Sequence, residues 1–184
     1  MQTLKFFAIL LAAASEMAAE SAAERAPMRR LMVNIAARKI VLLEDGKVVK
    51  MYSVAVGKRS TPSPRGSFHI ASHVVKPTYS HAGKVVGPGP ANPVGTRWMS
   101  IGFKGYGIHG TNHPESIGHA ASHGCIRMRN HDVEELFELV RVGDEVDLIA
   151  DPTPEEAGLF AETHADNLQA NAAPADGRIV GGLQ

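Results

Sequence analysis

The sequence predicts a mainly β domain with one packed helix, and three observations lead to this fold class. Glycine and proline occur 18 and 11 times in 184 residues, while aromatic residues make up only 5%. The pair Asp45-Gly46 separates two aliphatic, β-branched runs, which is a strong local signal for a β-hairpin. Only one long stretch, residues 133–140, has helical periodicity. These features favour a β-rich, loop-rich domain over a helical bundle.

The strands follow from short apolar runs bounded by turn residues. After a turn at 44–47, a return strand completes the first hairpin. Pro62, Pro64 and two glycines predict a loop at 57–66. The density of proline and glycine predicts a second, long loop at 76–96, and loops of that length are usually functional or mobile. The predicted strands are 31–35, 39–43, 48–56, 67–72, 97–103, 106–109 and 145–149.

One helix is expected near the end of the domain. Its apolar face is formed by positions i, i+3, i+4 and i+7, which are Val133, Leu136, Phe137 and Val140. Asn130 or Asp132 is a suitable side chain to cap its start, and Gly143 follows its end. Strand 145–149 then closes the domain.

The two ends of the chain differ from this central region. Lys5, the apolar run 6–14 and the small residues that follow predict a signal peptide over residues 1–23, and the run is too short to span a bilayer stably. Residues 24–30 are expected to be a linker. Residues 151–184 are rich in Ala, Asp, Glu, Gly and Pro and are expected to form a disordered tail. The folded domain is therefore predicted at 31–150.

Charge and cysteine content narrow the function classes. Lys plus Arg and Asp plus Glu number 19 each, so the basic surplus typical of a nucleic-acid-binding protein is absent. The one cysteine, Cys125, cannot form an internal disulfide. In an exported protein, such a cysteine is either paired between molecules or a free and reactive thiol.

Residues 106–129 carry most of the candidate chemistry. The segment contains Cys125, several glycines and four of the nine histidines. A cysteine nucleophile acts as a thiolate, and at neutral pH a thiolate needs a nearby imidazole or cation. His123 is two residues before Cys125, and Gly124 between them can turn N–H groups toward an oxyanion. His109 ends a predicted strand, which is a rigid platform for a base.

The residues alone also allow two other interpretations. Zinc could be held by a set of nitrogen and sulfur ligands, namely His109, His113, His119, His123 and Cys125, although their spacing matches no familiar zinc motif. Alternatively, the histidines lie on a polar loop and Cys125 is a small buried residue.

The wider motif resembles a known family. Ile108-His109-Gly110-Thr111, Ser116-Ile117-Gly118 and Ser122-His123-Gly124-Cys125-Ile126-Arg127-Met128 together are similar to the signature of the L,D-transpeptidase catalytic domain of YkuD type. The segments 61–66, 89–98 and 132–146 resemble further parts of that domain. The resemblance covers about residues 31–150 and implies a β-sandwich of mixed sheets with one packed helix.

The resemblance also implies roles for site residues. Cys125 is the expected nucleophile, His109 the proton acceptor and donor, His123 a supporting residue, and the carbonyl of Gly110 the group that orients His109. Arg127 is expected to bind a carboxylate of the substrate, with a surface ion pair as the alternative. Further expected substrate-binding residues are Gly124, Ser122 and Tyr106. The hydroxyls of Thr111 and Ser122 are expected to form hydrogen bonds with the loop backbone. Trp98 and Tyr106 are expected to lie in the core or in the wall of the pocket.

The activity implied by the resemblance is L,D-transpeptidation of peptidoglycan stem peptides through a thioester on Cys125. The acceptor would be a second stem, a lysine of an envelope lipoprotein, or water, in which case the enzyme is an L,D-carboxypeptidase. A non-catalytic wall-binding module is the alternative from another class. The N-terminal segment predicts a periplasmic location and no stable membrane span, and the charge balance predicts no nucleic-acid partner. The expected catalytic chemistry needs no cofactor and no metal.

Overall fold

The structure, a computed structural model, describes residues 27–161 and contains thirteen strands and two α-helices in that range. The predicted signal peptide and the part of the predicted tail that follows residue 161 lie outside the described residues. The strands are β1 (Arg29–Asn34), β2 (Lys39–Glu44), β3 (Lys47–Ser53), β4 (Val56–Gly57), β5 (Gly66–His69), β6 (Ser72–Val75), β7 (Tyr79–His81), β8 (Lys84–Val86), β9 (Arg97–Ser100), β10 (Gly107–His109), β11 (Ala120–Ser122), β12 (Ile126–Arg127) and β13 (Glu145–Ile149). The helices are α1 (Asn130–Leu139) and α2 (Pro154–Leu159), and a 3-10 turn covers Pro114–Ser116.

A five-stranded sheet forms one side of the domain, in the order β3-β2-β1-β13-β5. Strands β1 and β13 are parallel, and the other neighbours are antiparallel. Asp45 and Gly46 have φ values of 49° and 78°, as the predicted tight turn between β2 and β3 requires. Strand β1 begins at Arg29, inside the predicted linker, because Arg29 and Arg30 pair with Glu44 and Leu43.

A four-stranded sheet forms the other side, in the order β12-β10-β9-β6. Strands β10 and β12 are parallel, and β9 is antiparallel to β10 and β6. The main core lies between the two sheets, and both contribute fully buried aliphatic side chains such as Leu31, Leu148, Met99, Ile108 and Ile126. The mainly β sandwich of mixed sheets is therefore confirmed.

The helix α1 packs its apolar stripe into this core, as its spacing predicts. Val133 and Leu136 are fully buried, and Phe137 packs against the same cluster. The predicted cap is wrong: the capping position is occupied by Arg129, whose side chain makes no capping hydrogen bond. The carboxamide of Asn130 is directed instead toward the loops beside the candidate site.

Two predicted strands are each divided in the structure. The predicted strand 48–56 leaves the five-stranded sheet after Ser53, because Ala55 exchanges backbone hydrogen bonds with Arg127. The predicted strand 67–72 changes sheets: Ile70 N–H bonds to Asp144 O, and Ala71 N–H bonds to Ser100 O. A period-two pattern continues through such a crossing, so the pattern alone does not reveal it.

The predicted loop 76–96 contains a hairpin formed by β7 and β8. Ala82 and Gly83 have φ values of 48° and 77°, which suit a two-residue turn. Buried Asn92 ties the two ends of the hairpin together, because its Nδ2 donates to Pro77 O at 2.7 Å and to Gly87 O at 3.1 Å. The predicted long loop therefore contains two paired strands, Tyr79–His81 and Lys84–Val86, which the sequence analysis did not predict.

The prediction of disorder from residue 151 is wrong as far as residue 161. Thr153 and Glu156 form a reciprocal capping box at the start of α2. Phe160 is only 6% exposed and packs on Met32, Val41 and Leu43, on the face of the five-stranded sheet opposite the main core. Neither α-helix within residues 27–161 has the length and apolar character needed to cross a membrane.

Candidate active site

The strands β10 and β12 bring the predicted site residues to one face of the four-stranded sheet. Ile108 lies opposite Ile126 and His109 opposite Arg127. Both isoleucines point into the core, so alternation along the strand places His109 and Arg127 on the other face. Cys125 directly precedes β12 and is two residues from Arg127, so it lies on the same face. Ideal strand spacing puts the Cα atoms of His109 and Cys125 about 8 Å apart.

His109 is enclosed on two sides and is only 4% exposed. The ring of Trp98 stacks on it, with centroids 5.4 Å apart and an angle of 21°. Its Nδ1 lies 2.5 Å from Gly110 O, and a carbonyl can only accept, so Nδ1 carries the proton and Nε2 keeps its lone pair. Gly107 makes room for the indole, since a Cβ there would lie 2.7 Å from Trp98 Cζ2.

Burial controls the charge of this histidine. Burial lowers the pKa of His109 to about 4. The hydrogen bond to Gly110 O raises this pKa somewhat, and the positive charge of Arg127 lowers it further. The imidazole is therefore neutral at neutral pH.

Cys125 is partly buried, and its Sγ lies 3.5 Å from Gly105 O, to which the thiol donates. Burial raises the pKa of the Cys125 thiol, and the backbone hydrogen bond from Gly107 and the charge of Arg127 offset this only in part. Burial therefore favours a neutral Cys125 thiol and a neutral His109 imidazole over a thiolate–imidazolium pair.

The turn before Cys125 is held by Ser122. The Ser122 hydroxyl donates to Cys125 O at 2.6 Å and accepts from Gly124 N at 2.9 Å. The Gly124 N–H is therefore already bonded, and an oxyanion would need other donors. Gly124 has a φ of 117°, and a Cβ there would lie 2.5 Å from the Tyr106 ring, so only glycine fits against this tyrosine.

The loop 58–65 supports the same turn from outside. Thr61 Oγ1 donates to Ser122 O at 3.2 Å, and Lys58 N donates to it at 3.0 Å. Gly57 permits the loop to fold back, because a Cβ there would lie 2.4 Å from Ser63 N. The Thr-Pro segment singled out in the sequence is therefore a neighbour of the candidate site.

The remaining predicted residues occupy different positions. His123 is exposed, with Lys58 Nζ 3.4 Å from its Nε2. Arg127 is partly buried, and within residues 27–161 its guanidinium forms no hydrogen bond or ion pair, which removes the surface ion pair as an explanation. The exposed His113 lies against Glu115, and His119 is exposed. The hydroxyl of Thr111 accepts from His113 N at 3.0 Å.

The zinc alternative gains no support from this arrangement. In the described part of the chain, no three His, Cys, Asp or Glu side chains lie close enough together to hold a metal ion. The sequence suggested Asn130 only as a helix cap, whereas its Oδ1 accepts from Thr96 N and Thr111 N beside His109. The sequence shows that Asn130 follows the cysteine motif, but it does not show that the Asn130 side chain points toward Thr96 and Thr111.

Comparison with known proteins agrees with this geometry. The profile of the L,D-transpeptidase catalytic domain matches residues 28–148. Two relatives, the putative L,D-transpeptidases YkuD of Bacillus licheniformis and YqjB of Bacillus subtilis, are 42% and 40% identical over 119 and 126 residues. These matches span 65% and 66% of this chain and 64% and 70% of the two relatives.

The solved catalytic domain of the Enterococcus faecium L,D-transpeptidase is similar in structure, with a TM-score of 0.56 and 29% identity. The similarity covers 66% of this chain and 96% of that domain. Fold, motif and profile coincide over the same residues. The chain therefore belongs to the L,D-transpeptidase catalytic domain family.

Proposed function

We propose that the protein is a cysteine L,D-transpeptidase that acts on peptidoglycan stem peptides through a thioester on Cys125. The observation that carries the proposal is the arrangement of His109. The Nδ1–H of His109 donates to Gly110 O, so its Nε2 has a free lone pair. His109 also lies on the same sheet face as Cys125, the only cysteine of the sequence.

In the first half-reaction, Cys125 Sγ attacks the carbonyl carbon of the third stem residue while His109 Nε2 takes the thiol proton. The tetrahedral intermediate then collapses: the bond to the terminal D-alanine breaks, and His109 gives the proton to the departing amine. Since burial lowers the pKa of His109 to about 4, its imidazolium is more acidic than an ordinary one and releases this proton more readily. Free D-alanine and a thioester on Cys125 remain.

In the second half-reaction, His109 removes a proton from an acceptor amine as its nitrogen attacks the thioester carbonyl. A new amide forms, and the sulfur leaves and regains its proton from His109. A second stem as acceptor gives a cross-link between third residues, and a lipoprotein lysine gives an attached protein. Water as acceptor gives a tripeptide, which is the L,D-carboxypeptidase reaction.

Arg127 supplies the proposed contact with the donor stem. Its guanidinium has no partner within residues 27–161 and lies beside His109 in the strand register. A free guanidinium next to the reacting groups suits a stem carboxylate, which it can bind in bidentate geometry. His123, Ser122, Gly124 and Tyr106 remain proposed site residues, and Ser122 and Gly124 would act mainly by shaping the turn, since they bond each other. We also place the reaction in the periplasm, where peptidoglycan lies.

Mass analysis of muropeptides tests the proposal. The purified full-length protein is incubated with disaccharide-tetrapeptides, and the products are separated and weighed. A cross-linked dimer with loss of D-alanine supports transpeptidation, and a disaccharide-tripeptide alone supports the carboxypeptidase. An enzyme-bound acyl group seen by intact-mass measurement supports the thioester.

The control is Cys125→Ala, which removes only the thiol and should yield none of these species. Product formation by this variant would disprove the thioester mechanism. A wild-type protein that binds muropeptides without converting them would favour the wall-binding module.

A further inference from the structure

A single peptide group connects His109 to the start of helix α1. The carbonyl of Gly110 accepts the Nδ1 proton of His109. The N–H of Thr111, at the other end of the same peptide bond, donates to Asn130 Oδ1 at 3.1 Å. Because a trans peptide is planar and its C=O and N–H point in opposite directions, an acceptor that fixes the N–H also fixes the C=O.

The chain is built to admit this oxygen. A Cβ on Gly95 would lie 2.1 Å from Asn130 Oδ1, and a Cβ on Gly110 would lie 2.2 Å from it. The same oxygen also faces Thr96 N at 3.4 Å. Two glycines therefore leave a slot between neighbouring loops, and the Asn130 carboxamide occupies the slot.

We propose that Asn130 is a positioning residue of the active site, which sets the tautomer and direction of His109 through the Gly110–Thr111 peptide. The inference rests on the proposed function only in taking His109 as the base. By accepting the Thr111 N–H, Asn130 polarises the peptide and makes Gly110 O a stronger acceptor for the His109 proton. It also prevents this peptide from rotating, which would release the ring and allow the proton to move to Nε2.

Asn130 is favoured for this role over a plain structural one by its position. It is the first residue of α1, yet its side chain does not bond the open N–H groups of its own helix. The capping position is occupied by Arg129, so the Asn130 carboxamide is available to other partners. Here the carboxamide accepts a hydrogen bond from the segment that follows His109. Helix α1 is stabilised instead by its buried side chains Val133 and Leu136.

Three full-length variants and two measurements test the proposal. Asn130→Ala removes the acceptor, and Asn130→Asp keeps an oxygen at the same place. Asn34→Ala is the matched control, since Asn34 Oδ1 also accepts from one loop N–H, that of Ala37 at 2.9 Å, far along the chain from the site. The measurements are nitrogen-15 NMR of the His109 ring and steady-state kinetics with disaccharide-tetrapeptide.

We expect wild type, Asn130→Asp and Asn34→Ala to show protonated Nδ1 and unprotonated Nε2. In Asn130→Ala we expect a mixture of tautomers, with kcat about tenfold lower and KM within about twofold. Asn130→Asp should recover kcat to within about threefold of the wild type, and its carboxylate should raise the pKa of His109.

An unchanged ring signal and kcat in Asn130→Ala would overturn the proposal, as would an equal loss of kcat in Asn34→Ala. If Asn130→Ala does not fold, a switch to the Nε2-protonated tautomer in Asn130→Asp would overturn it. The ring signal is independent of activity. A tautomer shift in a protein without transpeptidase activity would therefore reject the proposed function and retain this inference.

Discussion

At the residue scale, the site is governed by the cost of burying charge. His109 and Cys125 both lie in surroundings that favour their neutral forms, and burial is the largest influence on each pKa. In the proposed mechanism, the proton therefore moves from sulfur to nitrogen during attack, when the developing charges can stabilise each other. Such a transfer differs from the mechanism of cysteine enzymes that hold a resting thiolate.

The first prediction concerns the reactivity of the thiol. Iodoacetamide labels only Cys125, since the sequence has no other cysteine. Labelling should rise with pH around a midpoint above the ordinary value of about 8.5, because burial raises the pKa of the thiol. The profile is measured by intact mass at a series of pH values. His109→Gln should leave the midpoint unchanged, whereas a midpoint below neutrality that rises in this variant would indicate a resting ion pair.

The second prediction concerns the pH dependence of stability. The pKa of His109 is about 4 in the folded chain and about 6.5 when unfolded, so the unfolded state binds a proton more readily between these values. Stability should therefore fall as pH drops from 7 to 4, with roughly 3 kcal/mol due to His109. Urea unfolding of the wild type and His109→Gln at both pH values isolates this part. An equal loss in both proteins would show that His109 does not contribute it.

The third prediction concerns Arg127. Arg127→Ala should lower kcat/KM by about 10- to 100-fold, the effect of losing a charged hydrogen bond, with little change in Tm. Arg30→Ala is the contrasting control, because Arg30 pairs with buried Asp147 and its loss should lower Tm instead. Kinetics and thermal melts are compared side by side. Parallel losses of activity and Tm in Arg127→Ala would contradict the substrate contact.

At the element scale, the five-stranded sheet is covered on both faces, by the main core and by α2. The strand β1 alternates accordingly: Leu31 and Val33 belong to the main core, while Met32 belongs to the second cluster under Phe160. The capping box of Thr153 and Glu156 defines where α2 begins. The segment after β13 is therefore part of the folded unit.

The fourth prediction follows from this packing. Phe160→Ala should destabilise the protein by roughly 3–5 kcal/mol, because it removes a buried aromatic side chain from a packed cluster. Thr153→Ala should cost only about 1 kcal/mol, the usual effect of losing a helix cap. Urea unfolding measures both. Phe160→Ala with wild-type stability would instead support a detached tail after β13.

At the scale of the whole molecule, the domain unites segments that are distant in sequence. The parallel pair of β1 and β13 closes the five-stranded sheet between the two ends of the domain. The site is assembled from the loop 58–65, the strands β9, β10 and β12, and the start of α1. The described residues form this unit, and the predicted signal peptide precedes it.

The fifth prediction concerns export. The apolar run 6–14 followed by small residues should direct the chain across the inner membrane, with cleavage near residue 24. N-terminal sequencing of protein from the periplasmic fraction measures this. Placing arginine at Leu10 and Leu11 should retain the full-length chain in the cytosol. An uncleaved wild-type protein in the cytosol would refute the prediction.

The sequence by itself determined the family, the first hairpin, helix α1 and strand β13, and it predicted Cys125, His109 and Arg127 as site residues. Each depends on local information: Asp45-Gly46 in a tight turn, one apolar stripe, or residue types at fixed spacing. Tertiary structure alone decided where strands change sheets and that Phe160 covers a second core. It also decided that burial favours the neutral thiol and imidazole, and that Asn130 faces Thr111. These features depend on which distant segments exclude water from a group or supply its hydrogen-bond partner, and the local pattern does not contain that information.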